Sequence, residues 1–64
     1  MPFQTINTVT RYGISVDVDA YTGEVLLVTD ALTGQPARWH HSAPAIAAAK
    51  RFATESVLSL AELG

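Results

Sequence analysis

The stretch Asp19-Ala20-Tyr21-Thr22-Gly23-Glu24-Val25-Leu26-Leu27-Val28-Thr29-Asp30-Ala31-Leu32-Thr33-Gly34 decides the fold, because it contains nearly the same pentapeptide twice, eleven residues apart. An Asp-Ala pair followed by one variable residue and Thr-Gly carries turn chemistry. The carboxylate bonds forward to the turn amides, and the glycine closes the turn at positive φ, where a Cβ would clash. Between the copies, Glu24 to Asp30 holds the run Val25-Leu26-Leu27-Val28, which reads as a central strand. One strand plus one turn accounts for the spacing. A pair of calcium loops is the competing reading, and it fails on donor count. Each pentapeptide offers one Asp, whereas a calcium loop converges several oxygens on the ion.

Upstream, Ile14-Ser15-Val16-Asp17-Val18-Asp19 alternates apolar and polar residues, the pattern of a half-buried strand. Downstream, Gly34-Gln35-Pro36 leads to a third predicted strand from Ala37 to His41, which Pro36 marks as an edge strand. Ser42 or Ala43 then caps a helix over 43–63, with Pro44 in its first turn. At 100° per residue Ile46, Ala49, Phe52, Ala53, Val57, Leu60 and Leu63 form its apolar arc, opposite Lys50, Arg51, Thr54, Glu55 and Glu62. Leu58 projects among the polar residues. Residues 1–11 either extend the first strand through a bulge at Gly13 or form a separate strand at an edge. The expected fold is a single α+β domain over 1–64. It comprises a three-stranded antiparallel β-meander across 12–41, with an optional extra N-terminal strand, and one C-terminal helix packed on one sheet face.

Four-residue turns set Asp19 opposite Glu24 and Asp30 opposite Gln35. They predict the pairs Val16 with Leu27 and Leu26 with Trp39. Ile14, Val16, Val18, Val25 and Leu27 then face the helix. The other face carries Ser15, Asp17, Leu26, Val28, Ala37 and Trp39, rimmed by Asp19, Glu24 and His41. One helix covers one face only, so Asp17, Asp19, Glu24, Leu26, Val28, Trp39 and His41 are the candidate partner-binding residues. The occupant is residues 1–10, a second copy or another protein; of these a homodimer, through the sheet face or a strand edge, is expected.

Composition excludes several classes of function. A 64-residue chain buries only about 60% of the surface its unfolded form exposes, and without cysteine it has no disulfide, thiolate nucleophile or zinc thiolate site. The net charge of −2, with Arg11, Arg38, Lys50 and Arg51 as the cations, argues against direct nucleic-acid binding. No apolar run approaches the roughly 20 residues that span a bilayer, and no signal-peptide pattern opens the chain, so a cytoplasmic location is expected. Ser15, Ser42, Ser56 and Ser59 lie in no nucleophile elbow. His40 and His41, adjacent on a strand, point to opposite faces and cannot share a metal. Asp17 and Asp19 share a face, yet a flat sheet gives a sugar no cleft. The chain is expected to be no enzyme and to hold no cofactor or metal.

Several resemblances accompany this reading. VDVDAYTGEVL resembles the final hairpin of PepSY domains, and the Asp-Ala-x-Thr-Gly turns resemble those of quinoprotein-type propeller repeats; both are short and fit convergent hairpin chemistry. The β-β-β-α order, with RWHHSAPAIAAAKRFA joining third strand to helix, resembles AP2-like and integrase-arm DNA-binding domains. That resemblance implies a sheet that reads DNA, with Arg38 and Trp39 in strand-three roles, against which stand Asp17, Asp19 and Glu24. HicB-type antitoxin domains share the order without the glycine-rich strands. The size, acidity and architecture also resemble small phage-encoded inhibitors, including anti-CRISPR proteins, which implies a non-enzymatic module that blocks a host complex by occluding a surface. The alternatives are a DNA-binding β-β-β-α module and a structural or dimerisation domain.

Overall fold

Both pentapeptides are turns. In the computed structural model, which describes the backbone of residues 4–63 and side chains to residue 59, the Gly23 amide donates to the Asp19 carbonyl and the Gly34 amide to the Asp30 carbonyl, each at 2.9 Å. Both glycines have φ of 76°. Asp19 Oδ1 accepts from the amides of Tyr21 and Thr22, and Asp30 Oδ2 from those of Leu32 and Thr33. The expected pairings across the turns are present, with the Asp19 amide donating to the Glu24 carbonyl and the Asp30 amide to the Gln35 carbonyl.

The architecture is α+β: three antiparallel strands in one sheet, then a C-terminal helix. Strands β1 (Thr5–Val9), β2 (Ile14–Asp19) and β3 (Val25–Asp30) lie in the order β1-β2-β3, and helix α1 covers Ala43–Leu63. Two of the three strands are those expected. The third comes from the N-terminal segment, which forms a separate edge strand paired with β2 from Thr5↔Asp19 to Val9↔Ser15. Gly13, at φ 78°, closes the tight turn between them, where its amide donates to the Thr10 carbonyl.

The predicted strand from Ala37 to His41 is instead a 3₁₀ turn, Ala37–Trp39. A single bridge, Thr29↔Pro36, is all the pairing the segment makes with β3. Pro36 brings no amide to a ladder, and the chain must climb from the sheet edge to the helix layer before Ala43. The amides of Trp39, His40 and His41 accordingly bond back to Pro36 and Ala37. Ala37 is buried in the angle this makes. The pair Leu26 with Trp39 therefore does not form.

A bulge also corrects the predicted register of β3. Val18 pairs with Val25, yet Asp17 pairs with Leu27, so Leu26 is an extra residue with no partner. From that point every side chain of β3 changes face relative to an unbroken ladder. Val16 pairs with Val28 rather than Leu27; Val28 turns inward and Leu27 outward, 55% exposed.

The core lies between β2 and one stripe of α1. Ile14, Val16 and Val18 are wholly buried, as are Ala49 and Ala53, with Val57 next to them. Ile6, Val25, Val28, Ala45 and Ile46 pack round the edge of this cluster. Alanine at 49 and 53 lets the helix axis approach the sheet closely. Ser42 is the N-cap, its Oγ accepting from the Ala45 amide, and Pro44 occupies the first turn, where a missing amide costs nothing. Phe52, placed by periodicity on the inward arc, stands on its flank and is 53% exposed. Leu60 and Leu63 fall outside the described side chains.

Candidate functional site: the open sheet face

Alternation along the strands assigns the face away from the helix. It carries Thr5, Asn7 and Val9 from β1, Ser15, Asp17 and Asp19 from β2, and Leu27 and Thr29 from β3, by the register of the two ladders. At its centre Asn7 Nδ2 donates to Ser15 Oγ at 2.6 Å and to Asp17 Oδ1 at 2.7 Å. Asn7 and Asp17 are direct cross-strand partners and Ser15 is the diagonal neighbour, so backbone pairing alone brings these groups together. The result is a polar centre, with Leu27 of β3 beside Asp17 on the side away from Asn7, and Val9, on the same strand as Asn7, opposite Ser15. Asp19 continues the acidic row at the end of β2, its carboxylate fixed by the turn amides it accepts from.

The seven candidate residues divide. Asp17 and Asp19 lie together on this face, and Glu24 is exposed at the turn beside them. Leu26 sits in the bulge, 41% exposed. Val28 does not belong to the face; the bulge turns it into the core, where it packs with Ile46 and Ala37. Trp39 is 61% exposed but stands on the 3₁₀ turn beyond the β3 edge, off the sheet. His41 is drawn to Asp30, with Nε2 donating to Asp30 Oδ1 at 2.7 Å, and only 17% of its side chain is exposed. Asp30 also accepts from the Thr33 hydroxyl. The His41 bond, helped by the Thr33 and Leu32 donors and opposed by desolvation, holds the Asp30 carboxyl at about 2, well below the usual carboxylate range. His41 is thereby a structural clamp on the second turn. The expected apolar patch with an acidic rim is in fact a polar centre with apolar flanks.

Sequence reasoning missed Asn7, Thr5, Val9 and Leu27. The signal for the first three was present in Thr5-Ile6-Asn7-Thr8-Val9, an alternating, β-branched run ahead of a turn closed by Gly13. Among the described residues no group of three or more His, Asp or Glu is placed to hold a metal ion, and no helix is long and apolar enough to cross a membrane. The hollows are shallow, one of about 210 Å³ lying between the β1–β2 turn and Ala48 and Phe52. No family of known proteins matches the chain, and no curated protein or solved structure does so.

Proposed function

We propose that the chain is a non-enzymatic protein–protein interaction module that binds through its open sheet face. The observation carrying this reading is the Asn7–Ser15–Asp17 network, a set of polar groups already held in place on a solvent-facing sheet surface with apolar flanks. Preorganised polar groups lose little freedom on binding, and an exposed sheet face suits a macromolecular surface better than a small substrate, which needs a concave site. Asp17, Asp19 and Glu24 give it an acidic row, which favours a basic partner surface by steering and orienting the encounter. A basic nucleic-acid-binding channel in a host complex is one surface of that kind, and occupying it makes the module an inhibitor. Arg38 and Trp39, the residues that a DNA-reading sheet of the integrase-arm type needs on its third strand, lie on the 3₁₀ turn instead.

The test compares capture from bacterial lysate by the wild type and by the Asp17→Lys, Asp19→Lys double variant, with circular dichroism confirming that both are folded. Partners retained at low salt by the wild type and lost by the variant support the reading. Equal capture by the two removes the open face as the binding surface. Wild-type binding to duplex DNA with a steep salt dependence transfers the function to nucleic-acid recognition.

A further inference from the structure

The two edges of the sheet are finished differently. The β3 edge is partly covered, because Pro36 bridges to Thr29 and the 3₁₀ turn follows it. Among the described residues nothing pairs with the outer edge of β1. The Thr10 amide donates to the Ile14 carbonyl and the Ala20 amide to the Gln4 carbonyl, which fixes the phase of the ladder. Even-numbered residues bond inward to β2, so the N–H and C=O groups of Thr5, Asn7 and Val9 point out from the free edge. Soluble proteins usually block such an edge with charge, proline or a bulge. β1 has none of these: it is five residues of regular, uncharged strand with three β-branched positions among Thr, Ile and Val besides Thr8.

We infer that this edge pairs with the β1 edge of a second copy of the chain, antiparallel, about a two-fold axis through Asn7. A five-residue strand pairs most fully with itself when its middle residue lies on the axis. Asn7 then exchanges both backbone hydrogen bonds with its counterpart, and Thr5 lies opposite Val9 of the second copy. Three observations select a second copy as the occupant. The outward-pointing groups repeat symmetrically about Asn7. The strand carries no charge, so two copies meet without like-charge repulsion. The axis stands normal to the sheet, which places both helices on the same side and sets Ile6 of the second copy opposite Thr8 on the helix side, one residue short of the end of β1, where exposed Phe52 and half-buried Ala48 flank the hollow beside Val9. Strand pairing over five residues together with burial of Phe52 covers several hundred Å², below the roughly 1,000 Å² of specific stable interfaces, so the dimer is a weak one in exchange with the monomer. The product is one six-stranded sheet whose open face displays the acidic row twice. The pairing is independent of what the open face binds.

The absence of cysteine makes the register directly testable. In a hydrogen-bonded antiparallel pair the Cα atoms are about 5.5 Å apart, within disulfide reach. Under mild oxidation Asn7→Cys is expected to form a covalent dimer. Thr5→Cys is not, because its counterpart lies four residues along the strand, roughly 13 Å away. Sedimentation of the cysteine-free wild type from about 1 to 300 µM is expected to show monomer and dimer in exchange. Asn7→Pro, which removes an amide that β2 does not use, is expected to raise the dissociation constant about tenfold or more. A monomeric wild type across that range overturns the inference, as does cross-linking of Thr5→Cys as fast as Asn7→Cys.

Discussion

The turns at Asp19–Gly23 and Asp30–Gly34 share their sequence pattern and internal bonds, yet the protein uses them differently. Asp19 lies on the open face, partly exposed and bonded only within its own turn. Asp30 is 8% exposed, lies on the helix side of the sheet opposite Ile14, and is clamped by His41 and the Thr33 hydroxyl. In an unbroken ladder the eleven-residue spacing would put both aspartates on the open face. The unpaired Leu26 separates them. One inserted residue turns a local motif from a surface feature into part of the tertiary frame, without any change in the motif itself.

The strongest way to break this contrast is to delete Thr29. With the bulge held at Leu26, the deletion carries Asp30 onto the open face, away from His41, and leaves a ladder that no longer meets the second turn. Loss of a cooperative urea transition is the expected outcome. A cooperative fold in which the histidine and Asp30 stay bonded would show that β3 can slip freely.

Next in size is the difference between Asp30→Ala and Asp19→Ala. Removing Asp19 frees turn amides that water can reach and costs about 1 kcal/mol. Removing Asp30 also strands His41 and the Thr33 hydroxyl in a partly buried setting, so its loss should be about twice as large. Chemical denaturation of the two variants decides it, and equal losses would put the clamp in doubt.

Acid sharpens the same point. Asp30 has a folded-state value below its unfolded one, so its contribution is complete above the ordinary carboxylate value of 3.8 and disappears as pH falls toward about 2. Melting temperatures of the wild type should decline through that window, and more steeply than those of Asp30→Asn. Parallel declines would assign acid sensitivity to other carboxylates.

The glycines should behave alike. Gly23→Ala and Gly34→Ala both place a side chain at φ 76°, at about 1 kcal/mol each, and an added Cβ meets nothing closer than 3.7 Å at either position. The smallest effect belongs to deletion of Leu26. It removes the unpaired residue, keeps Leu27 opposite Asp17 and Asp30 opposite Ile14, and should cost about 1 kcal/mol or less. A collapse of stability on that deletion would mean that the twist supplied by the bulge is needed to seat the helix.

What the sequence disclosed followed from how much phase information each segment carried. In β2 polar residues alternate with apolar ones, so its inward face was legible residue by residue. The turns were legible because Asp, Thr and Gly have defined places in them. In Val25-Leu26-Leu27-Val28 every position is apolar, so periodicity assigns no face and a bulge leaves no trace. That single blind spot misplaced Leu27 and Val28 and hid the destination of Asp30. The segment Ala37 to His41 has residues compatible with a strand, and only the need to reach the helix layer bends it into a 3₁₀ turn. For the candidate site, Asp17 and Asp19 were readable from alternation. Asn7 was not, because its role depends on pairing with a strand eight or more residues away, and Trp39 and His41 were assigned to a strand that does not form.

The stripe of Ala49 and Ala53 under the helix has a dynamic consequence. An alanine side chain has no rotamers to freeze, so bringing this part of α1 down on β2 orders little beyond the backbone. The converse also holds: small side chains give the helix few interlocking contacts to hold it there. The hairpins close locally through short turns, while the helix makes its contacts with β2 across a longer stretch of chain. The helix layer is therefore expected to open ahead of the meander centred on β2. Amide hydrogens of β2 should outlast those of α1 in exchange with solvent.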